Sequence, residues 1–190
     1  MDGLIDRTRV SLAAPAERDL GEAPRAAPPS WIRLDFAVQH QLQDQWCWAA
    51  VSTSIALHYG STRWTQCSVV NSELGQSTCC EDGSASACNQ PWYLDRALKR
   101  VRALEKVEKG KPKRLDKVRK EIDGRRPVGI RIAWSGGGGH FVTIEGYRSD
   151  GDTIAIEDPW YGASDVSFAA MAGSYQGSGN WTHTYFTRKP

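Results

Sequence analysis

At Gly124 the apolar pattern of the chain changes period, and no other feature constrains its architecture as much. Before that point the spacing is helical. Cys47, Ala50, Val51, Ser54, Ile55 and His58 recur at three- and four-residue steps, with Gly60 as a stop signal. Two more helices are expected, one over Pro91 to Val101 with proline in its first turn, and one over Pro112 to Ile122 with Leu115, Val118 and Ile122 as a thin apolar stripe. After Gly124 the period is two: "PVGIRIAW" sets Val128, Ile130, Ile132 and Trp134 on one face. "HFVTIEGY" and "DTIAIED" flank the turn-forming "RSDG" and read as an antiparallel hairpin, and "WTHTYFTR" reads as a further strand. A short strand is also expected in "WIRLDFAV". Helices first and antiparallel strands afterwards predict an α+β domain with two lobes.

A chain of 190 residues suits one such domain and a tail. Residues 1–30, rich in Ala and Pro and ending in "EAPRAAPPS", read as a disordered leader or linker, which leaves residues 31–190 as the folded domain. The start "MDGLIDRTRV" carries acids where a secretory leader has a basic end and an apolar centre, and no apolar run reaches membrane-spanning length, so neither signal peptide nor anchor is expected. The formal charge of +2 gives no global pull toward nucleic acid or membrane.

Five cysteines divide into a cluster, Cys67, Cys79, Cys80 and Cys88, and an isolated Cys47. The cluster lacks Cys-x-x-Cys pairs and histidine, which argues for two disulfides over zinc, and no metal is expected. A bond between adjacent Cys79 and Cys80 would be strained, so Cys67 should pair with one of them and Cys88 with the other. Disulfides imply an oxidising compartment; with the cluster reduced, a cytoplasmic location would fit instead. Cys47 is then the odd thiol, and at a helix start unpaired backbone N–H groups and the helix dipole favour its thiolate.

A nucleophile needs a base. His140 follows "SGGGG" and opens a strand, where backbone can be approached closely. His140 and Asp158 lie symmetrically about Ser149, so a regular hairpin would set them directly opposite each other, with the carboxylate holding the imidazole tautomer. His40 and His58 read as structural, and His183 as a weaker alternative base.

"QLQDQWCWAA", "GGGGHFVTIEGY" and "EDPWYG" resemble the papain-like cysteine proteases, most nearly the bacterial branch of AvrRpt-type effector peptidases. The resemblance runs from about Gln39 onward. It implies a nucleophile helix packed against an antiparallel sheet, a substrate cleft between two lobes, and Cys47, His140 and Asp158 as nucleophile, base and orienter. It also implies an oxyanion-hole glutamine, best matched by Gln41 with Gln43 as fallback. Trp46, Gly139 and Trp160 are expected along the cleft, and Trp48 in the core. The implied activity is a cofactor-free endopeptidase acting on protein or peptide substrates through a thioester at Cys47. A secreted or translocated effector or toxin is implied, monomeric and open to control by an inhibitor or immunity protein. Deamidase or transglutaminase-like acyl transfer uses the same triad. An inactive binding module would use the basic face instead: Lys99 to Arg131 holds 14 Lys and Arg against 5 Asp and Glu. No nucleic-acid motif accompanies that excess, and an acidic protein substrate or partner is compatible with it.

Overall fold

The computed structural model describes residues 30–190. The expected leader lies, apart from Ser30, outside them. Four helices, α1 (Cys47–His58), α2 (Gln66–Leu74), α3 (Leu94–Arg100) and α4 (Asp116–Asp123), accompany seven strands, β1 (Trp31–Arg33), β2 (Leu104–Lys109), β3 (Val128–Trp134), β4 (Gly139–Arg148), β5 (Thr153–Glu157), β6 (Ser164–Ser167) and β7 (Gly179–Thr187). All strand pairs are antiparallel, in the order β2-β7-β3-β4-β5-β6. β1 joins β4 where β3 stops, and there Gly146 has a steric reason: a Cβ would lie 2.7 Å from the Ile32 carbonyl oxygen.

α1 is buried from Cys47 to Ala56, consistent with small or apolar side chains on every face of the segment. It packs with α2, α3 and the Phe141 and Tyr185 side of the sheet in one core. The opposite face of the sheet, carrying Ile130, Ile132, Val142, Ile144, Ile154 and Ile156, makes a second core with α4. Removing a side chain such as Trp48, fully buried in the first core, would cost about 3–5 kcal/mol.

α2, β2 and β6 carry no clear signal in the sequence. α2 begins inside the cysteine cluster, where a reciprocal cap between Thr65 and Ser68 starts it and Gly75, at φ 67°, ends it. The disulfides are Cys67–Cys80 and Cys79–Cys88, one of the two arrangements expected. α3 starts later than its proline indicates because Tyr93 is still extended.

The hairpin of β4 and β5 also departs from regular geometry. Its register runs Tyr147↔Ile154 and Gly146↔Ala155, then slips to Ile144↔Ile156 and Thr143↔Glu157, leaving Glu145 as an extra residue. Glu145 is buried and held by the Arg33 guanidinium, which also binds Asp165 at 2.7 Å.

Candidate active site

Cys47 is the first residue of α1, buried, and the one free cysteine among the described residues. No side chain caps the helix, so its first-turn N–H groups, including that of Cys47, lack intrahelical partners. The preceding segment is fixed from behind by the disulfide-crossed loop. The Gln45 N–H donates to Asn89 Oδ1 at 3.0 Å, Trp46 Nε1 to the Cys88 carbonyl at 2.9 Å, and Trp48 Nε1 to the Gln90 carbonyl at 3.0 Å.

His140 enters from the start of β4 and is also buried. Its Nε2 lies 2.8 Å from Asp158 Oδ1, which leaves Nδ1 for the thiol of Cys47, a group near enough to act on the ring. Burial alone would lower the imidazole pKa, but Asp158 and Cys47 together push it up to about 9. Trp134 stacks on the ring at 6.1 Å and Tyr161 meets it edge-on.

Asp158 is buried and saturated with donors. Besides His140, Oδ1 accepts from the N–H groups of Trp160 and Tyr161 at 2.7 and 2.9 Å, and Oδ2 accepts from the Tyr175 hydroxyl at 2.6 Å. Burial would raise this carboxyl, but the His140 hydrogen bond and charge, with Tyr175 and the Tyr161 N–H, hold it below the usual range. Out of water and next to this carboxylate, Tyr175 is pushed up and stays a donor.

His140 and Asp158 are not directly opposed, as a regular hairpin would have them. Thr143 faces Glu157, and extending that register by one residue past the end of β5 sets Asp158 level with Val142, one diagonal step from His140 and on the same face. The extra residue at Glu145 keeps the two on one face, while direct opposition is lost because the turn is centred between Asp150 and Gly151 and not on Ser149. Were the register beyond Gly146↔Ala155 continued without it, Asp158 would face Thr143, on the other side of the sheet.

Gln41 is buried and lines the same cleft as Cys47. Its Nε2 donates to the carbonyls of Gln43 and Asp44 at 2.8 and 2.9 Å, while Oε1 has no partner. Its backbone N–H donates to the Pro159 carbonyl at 3.0 Å, tying this segment to the residue after Asp158. Gln66, buried at the start of α2, accepts from the Leu42 N–H and donates to the His40 carbonyl. Gln43, the fallback, is turned toward Gly83 and does not line the cleft.

The cleft beside these groups has a volume of about 1180 Å³. Gly139 and Trp160 line it. Trp46 does not: it is 1 % exposed and packed between Gly83 and the Cys88 carbonyl, so the expectation of a cleft wall there is corrected to a core position. Trp48 is in the core, with an edge at the cleft floor. Of seven exposed large hydrophobic residues among the described ones, four, Tyr93, Val107, Trp160 and Tyr161, stand on the cleft, as a surface kept for an extended ligand requires. His58 is structural, its ring nitrogens facing the carbonyls of Asp35 and Arg125. Among the described residues no three His, Cys, Asp or Glu side chains are grouped as metal ligands. Tyr175 and Gln66 escaped the sequence analysis. Tyr175 sits in the aperiodic "GSYQGSGN", and only the fold brings it to Asp158.

A sequence-family model described as papain-like cysteine protease AvrRpt2 matches residues 30–176. No curated protein sequence matches. Among solved structures, a putative C39-like peptidase from Bacillus anthracis is similar at a TM-score of 0.50 and 16 % identity, covering 81 % of this chain and 95 % of that one. A double glycine motif protease from an AMS/PCAT transporter, solved with the leader peptide, gives 0.45 and 19 %, covering 82 % and 93 %. The Pseudomonas avirulence protein AvrPphB gives 0.38 and 10 %, covering 81 % and 98 %.

Proposed function

We propose that this chain, which belongs to the AvrRpt2 family of papain-like cysteine proteases, cleaves peptide bonds internal to protein substrates through a thioester at Cys47. The observation that carries this reading is the free thiol at an uncapped helix start, beside a buried imidazole already fixed by a saturated carboxylate. His140 takes the thiol proton on Nδ1, and the raised imidazole pKa keeps the resulting imidazolium protonated near neutrality. The thiolate sulfur attacks the scissile carbonyl carbon. The C–S bond forms and the carbonyl oxygen becomes an oxyanion, received by the Cys47 N–H and the Gln41 amide. To donate there, Gln41 must share one of the N–H groups that now serve Gln43 and Asp44. The imidazolium passes its proton to the leaving nitrogen as the C–N bond breaks. His140 then deprotonates a water, which attacks the thioester and frees the carboxylate product and the thiol.

Asp158 holds Nε2–H throughout, and Tyr175 holds Asp158. The aromatic rims at Tyr93, Trp160 and Tyr161 support a peptide ligand lying along the cleft. The two disulfides support work in an oxidising compartment, as a secreted or translocated bacterial effector or toxin acting as a monomer under an inhibitor or immunity protein. No helix among the described residues is long and apolar enough to cross a membrane.

The test is intact mass after exposure of the folded protein to a thiol-directed epoxysuccinyl inhibitor, followed by mass analysis of a digested peptide library. The reading expects one label, absent in Cys47→Ala and much slower in His140→Ala, and paired peptide fragments. Absence of labelling refutes an activated thiol; mass shifts without backbone cleavage point to deamidation or acyl transfer instead.

A further inference from the structure

One wall of the cleft carries charge that the hydrolytic steps do not use. Opposed residues of neighbouring strands project to the same side of a sheet. The registers Lys109↔His183, His183↔Arg131 and Arg131↔Phe141 therefore set these four side chains in one row across β2, β7, β3 and β4. Arg131, His183 and Phe141 line the cleft. Burial, and after it the charges of Arg131 and Lys109, lower the pKa of His183, so the three basic groups are close enough to share one field.

About half of the basic residues between Lys99 and Arg131 are ion-paired where they stand. Glu73 binds Arg100, Glu108 binds Lys106 and Lys117, and Glu121 binds Arg126. Arg131 and Lys109 form no ion pair among the described residues. The Arg131 guanidinium has a single side-chain partner, Thr182 Oγ1, at 2.9 Å from Nη1. It is held open by Gly139: a Cβ there would lie 2.9 Å from Nη2 and 3.1 Å from Cζ, so the planar group rests across a residue with no side chain, immediately before His140. A guanidinium with free N–H groups in a partly desolvated wall suits a carboxylate better than any neutral group. Asp95, the acid that faces His183, has its own partner in Lys99 at 3.4 Å.

We propose that this row, with Arg131 as its principal donor, recognises an acidic side chain of the peptide substrate. The proposal rests on the peptidase reading above. It is tested with fluorescence-quenched octapeptides carrying Glu or Gln in turn at each position around the scissile bond. Wild type is expected to favour Glu at one position by about tenfold in kcat/KM. Arg131→Gln should remove the preference and Arg131→Glu turn it toward Lys, while Lys120→Gln, an exposed cation of α4, leaves it intact. Equal cleavage of Glu and Gln peptides at every position, or a preference that survives Arg131→Gln, overturns the proposal. The same peptides are measured by fluorescence anisotropy against Cys47→Ala, where no turnover is needed. Arg131-dependent binding of Glu peptides that wild type never cleaves supports the charged wall and overturns the peptidase reading; binding blind to Glu and Gln overturns the wall.

Discussion

Asp158→Asn separates the two services of the carboxylate, geometry and charge. The amide is isosteric, and its oxygen can still accept from His140 Nε2 and from the N–H groups of Trp160 and Tyr161. The other terminal atom changes from an acceptor of the Tyr175 hydroxyl to a donor, so that hydroxyl must turn and accept. Its proton has a destination in Ser164 Oγ, buried without a partner in the present arrangement and near enough to act on Tyr175. The geometry therefore survives and the charge does not. A hydrogen bond to a charged group is worth roughly 1.5–3 kcal/mol, against about 1.4 kcal/mol per pKa unit, so the imidazolium should lose roughly one to two units. Starting from about 9, the alkaline limb of kcat/KM should fall toward neutrality. The assay is kcat/KM for one cleaved peptide between pH 5 and 10 in both proteins, with near-neutral values within a few-fold of each other. An alkaline limb that stays in place in Asp158→Asn would refute the assignment of that limb to the His140–Asp158 pair.

The raised His140 pKa is also a stability statement. The folded state holds the proton more tightly than the unfolded chain, so the contribution is full below about 6.5 and lost as pH rises to about 9; urea midpoints of wild type should decline across that window relative to His140→Ala, and parallel profiles would contradict the shift. Tyr175→Phe removes the donor to a buried carboxylate oxygen and should cost about 2 kcal/mol by urea denaturation, where a loss under half that would mean the bond contributes little. Cys79→Ser with Cys88→Ser opens a loop of sequence separation 9, for about 3 kcal/mol of stability. It should also slow epoxysuccinyl labelling of Cys47, because residues 88–90 anchor Gln45, Trp46 and Trp48; an unchanged labelling rate would show that the loop does not position the thiol. Gln41→Ala should reduce kcat by on the order of 3 kcal/mol of transition-state stabilisation with labelling less affected, and full activity would remove Gln41 from the oxyanion hole.

What could be read from the sequence was whatever repeats at short range. The helix from Cys47 to His58 and the alternating strand from Val128 to Trp134 follow from spacing alone, and both occur where expected. The disulfide cluster was legible because adjacent cysteines limit their own pairings. The meeting of Cys47 with His140 was not, since no local pattern records which helix packs on which strand. The hairpin brings His140 and Asp158 to one face, but symmetry about Ser149 misplaces the turn, which the pairs Tyr147↔Ile154 and Gly146↔Ala155 centre between Asp150 and Gly151, and it misses the bulge; the two together give the diagonal placement. Trp46 and Trp160 look alike beside their motifs. The first is drawn inward by a backbone carbonyl of the disulfide loop, a contact spanning 42 residues, and the second is left on the rim.

The extra residue at Glu145 makes the hairpin a counting device with two unequal ends. Beyond it, toward the turn at Ser149 and Asp150, a residue can be added or lost as loop, and the faces of His140 and Asp158 do not change. Between Phe141 and Ile144 the count is closed. One residue gained or lost there turns His140 away from Asp158 or demands a second bulge to restore the parity. Loop grafts, tags and natural length variation can therefore be accommodated at the tip of this hairpin and not along its first half.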